Sequence, residues 1–388
     1  MDSTDIYHAP KTTTPRIGYA HHDFIAEDIM ATSEQRRITE IVLELTIDFV
    51  ISLLGIFTNV VIVAVFARQG FKDSMSISMT TVALWDLVKS LGGFMQRLAG
   101  PMVLFSPAAA KSWANLSVMV FNYLVSVTCY VTSVLAAYVA VERCLCVTVP
   151  LKVKWLLTPK TALVVCVAIS VVVFGSFFVI FFIYDVYWVY DPTYNETVAV
   201  FEYNSFSVNN TALFGYYNMS GTLWPLVSLV VIVISTIIIS YKLRKSAEFR
   251  YRTKSVSGPV TSDSTERIQP QRYTKKSGQN QAKTTVISRR DQQVVKMLLV
   301  IIGVYIVHLA PRVANYLAKY LVFDYYYLRK YHNLFSIVAY VVFVFDFING
   351  SINLFVFFAM STAFRRTALE LLTCRCRCKQ LATKKLLY

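Results

Sequence analysis

Residues 141–153 read VERCLCVTVPLKV. Glu142 and Arg143 stand at the end of a long apolar run, Val118–Val141, and a basic, proline-containing segment follows them. Ionisable groups are costly inside an apolar layer, so they sit at its edges or pair with one another. An acid beside a base at the end of such a run therefore marks where a helix leaves a low-dielectric region. The rest of the chain shows what that region is.

Of 388 residues, 55% are hydrophobic and 16% charged, against about 25% charged in ordinary soluble domains. A membrane-spanning helix needs about 20 mainly apolar residues. Val42–Phe66, Leu163–Tyr184, Leu223–Ser240, Val294–Leu309 (extended to about Leu317) and Leu334–Met360 reach or approach that length. Ser76–Leu98 and Val118–Val141 are apolar with isolated polar insertions. The expected fold class is an all-α membrane protein, a seven-transmembrane helix bundle with its N-terminus outside. A large soluble helical core would not leave its apolar sequence in such evenly spaced runs.

Lys and Arg accumulate in the cytoplasmic loops of membrane proteins. Asp185–Gly221 holds neither, but it does hold Asp185, Asp191, Glu196 and Glu202. Lys242–Lys296 and the tail after Phe364 are rich in both bases. The first segment is expected outside and the other two inside. Sequons at Asn195, Asn209 and Asn218 fall in the same outer loop and are glycosylation candidates. A fourth, at Asn115, lies close to the third span. The net charge of +15 suits the anionic inner leaflet or an intracellular protein, not nucleic acid.

Residues 1–40 are expected to form an extracellular tail without the apolar core of a cleaved signal peptide, and residues 41–360 the bundle. Within the bundle, residues 185–221 form a long outer loop. There VYWVY and TVAVFEY flank the turn-forming Asp191-Pro192-Thr193-Tyr194-Asn195, which predicts a β-hairpin. Residues 246–291 are Ser-, Thr-, Gln- and Lys-rich and are expected to be a disordered basic inner loop. Residues 361–388 open with STAFRRTALELL, apolar at helical spacing, which predicts a short amphipathic helix on the inner leaflet. Cys374, Cys376 and Cys378 follow and are palmitoylation candidates, because alternate spacing lacks the gaps of a zinc site. None of the seven cysteines falls in a predicted outer segment.

Polar groups are threaded through the spans: Glu44, Asp48 and Asn59 in the first, Asp86, Lys89 and Arg97 in the second, and Glu142 and Arg143 at the end of the third. His308 and Arg312 lie in the sixth, with Asp346, Asn349 and Asn353 in the seventh. A lone intramembrane Asn is ordinarily a helix–helix hydrogen bond worth under about 1 kcal/mol. So many together call for more than glue. Lys89 follows Asp86 by three residues, and Asp346 precedes Asn349 by one turn. These positions predict an ion pair of Lys89 with Asp346, or alternatively with Asp86.

Several stretches carry a family resemblance. GIFTNVVIVAVF, VALWDLV, Glu142-Arg143-Cys144, VVKMLLVIIGVYIVHLAP and NGSINLFVF resemble the motifs of rhodopsin-like (class A) G-protein-coupled receptors across all seven spans. The chain resembles divergent invertebrate neuropeptide (FMRFamide-type) or chemosensory receptors. The resemblance implies an activation switch of Glu142, Arg143, Tyr305, Pro311 and Asn353, in which Arg143 rests on Glu142 and is freed when the sixth helix tilts. It also implies a sodium pocket of Asp86, Thr132, Asn349 and Asn353, whose oxygens suit a hard cation; no other cofactor is expected. The chain departs from the family in lacking the outer disulfide and the fourth-span tryptophan. Leu309 replaces the sixth-span tryptophan, Leu354 the seventh-span proline and Phe357 the tyrosine. Val125 and Phe347 stand where amine receptors place an aspartate and opsins a lysine, which disfavours both ligand types.

The predicted hairpin combines acids with aromatic rings. Asp191, Glu196 and Glu202 with Trp188 and Tyr190 suit a small basic or amidated neuropeptide through charge and cation–π attraction of about 0.5–2 kcal/mol per contact. The expected partners are thus an extracellular peptide or small-molecule ligand, a heterotrimeric G protein and membrane lipid, at the plasma membrane. No catalytic constellation or phosphate loop is visible, so an enzyme is not expected. The alternatives are a chemosensory receptor for environmental ligands and a multi-pass transporter, against which stands the lack of similarity between halves.

Overall fold

The computed structural model describes residues 28–149, 153, 155–210, 212–256, 289–326, 329–371 and 373. Seven long helices form it: α1 (Ser33–Gln69), α2 (Ser74–Arg97), α3 (Pro107–Thr148), α4 (Pro159–Ser176), α5 (Ala212–Val256), α6 (Arg289–Leu321) and α7 (His332–Met360). Their starts follow local chemistry. Thr32 closes a capping box with Gln35, accepting from its N–H at 3.1 Å. Asp73 accepts from the Ser76 N–H at 2.9 Å. Ser106 and Thr158 cap α3 and α4, each followed by a proline in the first turn, where its missing N–H costs nothing. Gly70 ends α1 at φ 78, a backbone conformation that favours glycine.

The helices overrun the expected segments where capping overrides hydropathy. α1 begins at Ser33, not 41, and α3 at Pro107, not Val118. Both pass through π-helical turns, Glu40–Ile47 and Val118–Asn122. α4 is shorter than expected and ends at Ser176 in a 3-10 turn, Phe178–Phe182. α5 extends to Val256 and α6 starts at Arg289, so helix occupies both ends of the segment expected as a disordered loop. Residues 362–371 are helical, and Phe364 packs on Phe66 and Phe357 with ring centroids 5.7 and 5.2 Å away.

Six of the seven helices are long and apolar enough to cross a membrane; α2, with Asp86, Lys89 and Arg97 inside it, is not among them. Packing fixes its place instead, against α1, α3, α4 and α7. α3 is the central post and touches α2, α4, α5 and α6. Outward faces stay apolar: Val164 on α4 is 67% exposed and Ile237 on α5 is 63% exposed. Apolar side chains that find no protein partner over whole helix faces are suited to lipid.

The predicted hairpin is present. β1 (Tyr184–Asp191) pairs antiparallel with β2 (Glu196–Tyr203), and Tyr184 lies opposite Tyr203. Asp191 Oδ1 accepts from the Thr193 N–H at 2.8 Å, and Asn195 takes φ 53 to close the turn. The hairpin lies on the first turns of α3. Ser112 Oγ accepts from the Ala199 N–H at 3.0 Å, and Asn115 Nδ2 donates to the Ala199 carbonyl at 2.8 Å.

Close helix approach rests on small residues. A Cβ added at Gly93 would lie 2.3 Å from the Phe347 ring and 2.8 Å from Ser52 Oγ. The Gly93→Ala variant is therefore expected to lose about 1–3 kcal/mol through overpacking, read as a lower melting temperature of the detergent-solubilised protein. An unchanged melt would show that α2 and α7 are not packed this closely.

Candidate functional site

Three layers of buried ions run along the bundle axis. At the end away from the hairpin, Glu142 and Arg143 close α3. An Arg143 guanidinium nitrogen donates to Glu142 Oε1 at 2.9 Å. Glu142 is fully buried and also accepts from α2: the Ser74 hydroxyl donates to Oε1, and the Ser78 hydroxyl to Oε2 at 3.0 Å. The acid is thus fixed by the neighbouring helix, while Arg143 Nε has no hydrogen-bond partner. The arginine is thus held by fewer hydrogen bonds than the acid.

In the middle layer, Lys89 Nζ lies 2.6 Å from Asp86 Oδ1, with both side chains at most 1% exposed. Asn353 Nδ2 donates to Asp86 Oδ2 at 3.4 Å. Asn59 Nδ2 donates to the carbonyls of Gly55 at 2.9 Å and Gly350 at 2.8 Å, which ties α1 to α7. The Thr132 hydroxyl donates to the Cys129 carbonyl of its own helix at 3.1 Å. Both amide atoms of Asn349, Asn353 Oδ1 and the Tyr305 hydroxyl are buried without a hydrogen-bond partner. Tyr305 and Asn353 also border a small cavity with Met79, Ile301 and Phe357.

The layer toward the hairpin joins Asp346 to His308 and Arg312, which sequence reasoning left without a role. Arg312 forks onto Asp346: Nε reaches Oδ1 at 3.3 Å and a terminal nitrogen binds Oδ2. His308 Nε2 lies 2.8 Å from Asp346 Oδ1. Arg312 also donates to the Tyr316 hydroxyl at 3.2 Å, and that hydroxyl meets Tyr130 at 3.0 Å. Across the bundle, Arg97 binds Asp48 Oδ2 at 3.1 Å and the Glu44 carbonyl at 3.0 Å, and lies over the Phe347 ring at 4.8 Å.

Of the two partners expected for Lys89, the geometry selects Asp86. No ion pair joins Lys89 to Asp346 among the described residues; Asp346 belongs to Arg312 and His308. The reason is angular. His308 and Arg312 are four residues apart, hence on one face of α6, and that face meets α7 at Asp346. A sequence signal existed in this spacing, together with the reach of an arginine side chain.

At the hairpin, Glu196 and Glu202 are exposed, Trp188 is 65% exposed and Tyr190 is 56% exposed. Strand alternation separates the expected set. Asp191, Glu196 and Glu202 share one face with Tyr187, while Trp188 and Tyr190 stand on the other. The Tyr190 hydroxyl donates to Asn195 Oδ1 at 2.6 Å. The hairpin is anchored to α3 by the Tyr184 and Tyr123 hydroxyls, 2.5 Å apart, and burial pushes the Tyr184 phenol well above its ordinary pKa.

Asn195 and Asn209 are exposed. Asn218, expected in the loop, lies within α5, because that helix starts at Ala212. Its Oδ1 accepts from Lys319 Nζ at 3.1 Å and the Tyr326 hydroxyl at 3.0 Å, so the residue is a helix contact. Burial pushes the Tyr326 phenol up to about 12, which keeps it a neutral donor. Cys374, Cys376 and Cys378 lie outside the described residues.

A seven-helix bundle with paired ions along its axis and a hairpin over one end defines a multi-pass membrane architecture. The family description "7 transmembrane receptor (rhodopsin family)" matches residues 58–357. The chain belongs to that family: it is a G-protein-coupled receptor and a multi-pass protein of the plasma membrane. A search of curated proteins finds no match.

The pairing pattern has a measurable signature. Asp346→Ala strands the Arg312 charge and is expected to cost about 3–5 kcal/mol. Adding Lys89→Met to it should cost close to the sum of the two single losses, since among the described residues no ion pair joins these sites and only His308 lies between them. Melting curves of the three variants check this, and strong non-additivity would restore the Lys89–Asp346 pair.

Proposed function

We propose that the hairpin end faces outside, that it captures a small basic or amidated neuropeptide, and that the Glu142 end activates a heterotrimeric G protein. One observation carries the ligand class. The ladder sets Asp185 opposite Glu202 and Asp191 opposite Glu196, and like charges directly opposed weaken a hairpin. Residues 185–221 contain no Lys or Arg. A sheet that keeps two acid–acid pairs on one face, with Tyr187 between them, is built to attract a cation. Peptide amines and guanidinium groups supply that charge and stack on the ring.

Signal transfer is a population shift: the ligand favours one bundle arrangement and the far end follows. Pro311 inside α6 gives that helix a place to bend. Its movement would draw Arg143 from Glu142 and open the cleft beside Tyr305 and Asn353. Basic residues Lys242, Arg244, Lys245, Arg289 and Arg290 on α5 and α6 would flank the docking protein. The same orientation makes Asn195 and Asn209 glycan acceptors, and Cys374, Cys376 and Cys378 palmitate acceptors beside the 362–371 helix.

The test is a screen of amidated peptides, basic and neutral, with calcium and cyclic-AMP readouts. Active peptides should be cationic. Glu196→Gln with Glu202→Gln should reduce their potency about tenfold, which corresponds to 1.4 kcal/mol, without lowering the maximal response. Potency unchanged by this double neutralisation would refute the hairpin as the cation-binding element. Separately, Glu142→Gln should raise ligand-free signalling in the same cells, and a silent variant would remove Glu142 from the switch.

A further inference from the structure

The interior of the bundle is balanced acid against base. Among the described residues, the buried carboxylates are Asp48, Asp86, Glu142 and Asp346, and the buried Lys and Arg side chains are Lys89, Arg97, Arg143 and Arg312. Each acid lies against one of those bases. This bears on the sodium ion that the family resemblance implies at Asp86, Thr132, Asn349 and Asn353.

The residues present do not fit that ion. Asp86 Oδ1, the charged ligand a cation needs, is held by Lys89 Nζ at 2.6 Å. The Thr132 hydroxyl is turned to the Cys129 carbonyl. The unpartnered groups nearby, on Asn349, Asn353 and Tyr305, are neutral; buried water satisfies such groups without adding charge. A sodium ion would bring a second positive charge into a pocket whose single negative charge is already matched.

We propose that the Lys89 ammonium is a tethered cation that permanently fills the place of sodium, and that this receptor is insensitive to sodium. The seventh helix is shaped for it. A Cβ on Gly350 would lie 2.9 Å from Lys89 Nζ, 3.0 Å from its Cε and 3.3 Å from Asp86 Oδ1. A side chain at this position would have to displace the end of Lys89, and the Gly350 carbonyl is also bound by Asn59. α2 and α7 therefore close around the ammonium, and Asn59 of α1 holds the α7 backbone at that point. A free ion stabilises the state it binds by an amount that grows with the logarithm of its concentration once that exceeds the dissociation constant. A side chain cannot leave, so here that stabilisation is independent of external salt.

The experiment requires neither ligand nor G protein, so its outcome is separate from the proposed ligand class. Purified detergent-solubilised receptor is melted in sodium chloride and in choline chloride, each at about 0.15 M ionic strength. Wild type should melt at the same temperature in both salts. Lys89→Gln keeps a donor for Asp86 but frees its charge, so sodium should raise its melting temperature by at least about 2 °C over choline. A wild-type melt raised by sodium overturns the proposal. So does a folded Lys89→Gln variant that melts alike in both salts. If that variant does not fold, the wild-type comparison decides alone: equal melts support the tethered cation, and a sodium-raised melt rejects it.

Discussion

An ion in an apolar layer must bring its own counter-ion, and this constraint organises the molecule. Removing charges from water costs several kcal/mol each, and close pairing is what makes the burial tolerable. Four such pairs are spread along the axis: Asp48 with Arg97, Asp86 with Lys89, Asp346 with Arg312, and Glu142 with Arg143. Two of them cross between helices, Arg97 of α2 to Asp48 of α1 and Arg312 of α6 to Asp346 of α7. The other two join neighbours on one helix and are braced by an adjacent helix through Asn353 or through Ser74 and Ser78.

The two kinds of pair suit different work. A pair that crosses helices resists their separation, because parting it leaves both charges stranded. A pair within one helix does not by itself hold two helices together, so its partners can be exchanged as the bundle rearranges. Glu142–Arg143 is of this second kind. Asp86–Lys89 is also local, but Gly350 admits α7 so closely that the pair lies between α2 and α7. The pairs that cross between helices thus lie toward the hairpin, and the pair at Glu142 lies within one helix.

Much of this was legible in the sequence. Segment hydropathy located the spans, and the turn chemistry of residues 191–195 placed the hairpin. The positions of Glu142 and Arg143 at the end of an apolar run announced their pairing. What escaped reading depended on geometry between elements. Helix ends moved because Thr32, Ser106 and Asp73 cap by side-chain hydrogen bonds that hydropathy does not register. Arg312 was visible as an intramembrane base, yet its partner depends on which face α6 turns to α7. The division of the hairpin's acids from Trp188 and Tyr190 follows from strand alternation and could have been read from residue parity.

The central claim is that the buried ions stabilise the bundle as pairs, not as independent polar contacts. The most direct measurement compares melting of Asp86→Leu, Lys89→Leu and the double variant. Pairing predicts that each single change is costly, about 3–5 kcal/mol, because it leaves an uncompensated buried charge. The double variant should then melt above both singles. A double variant that loses the sum of the two single effects would contradict the account.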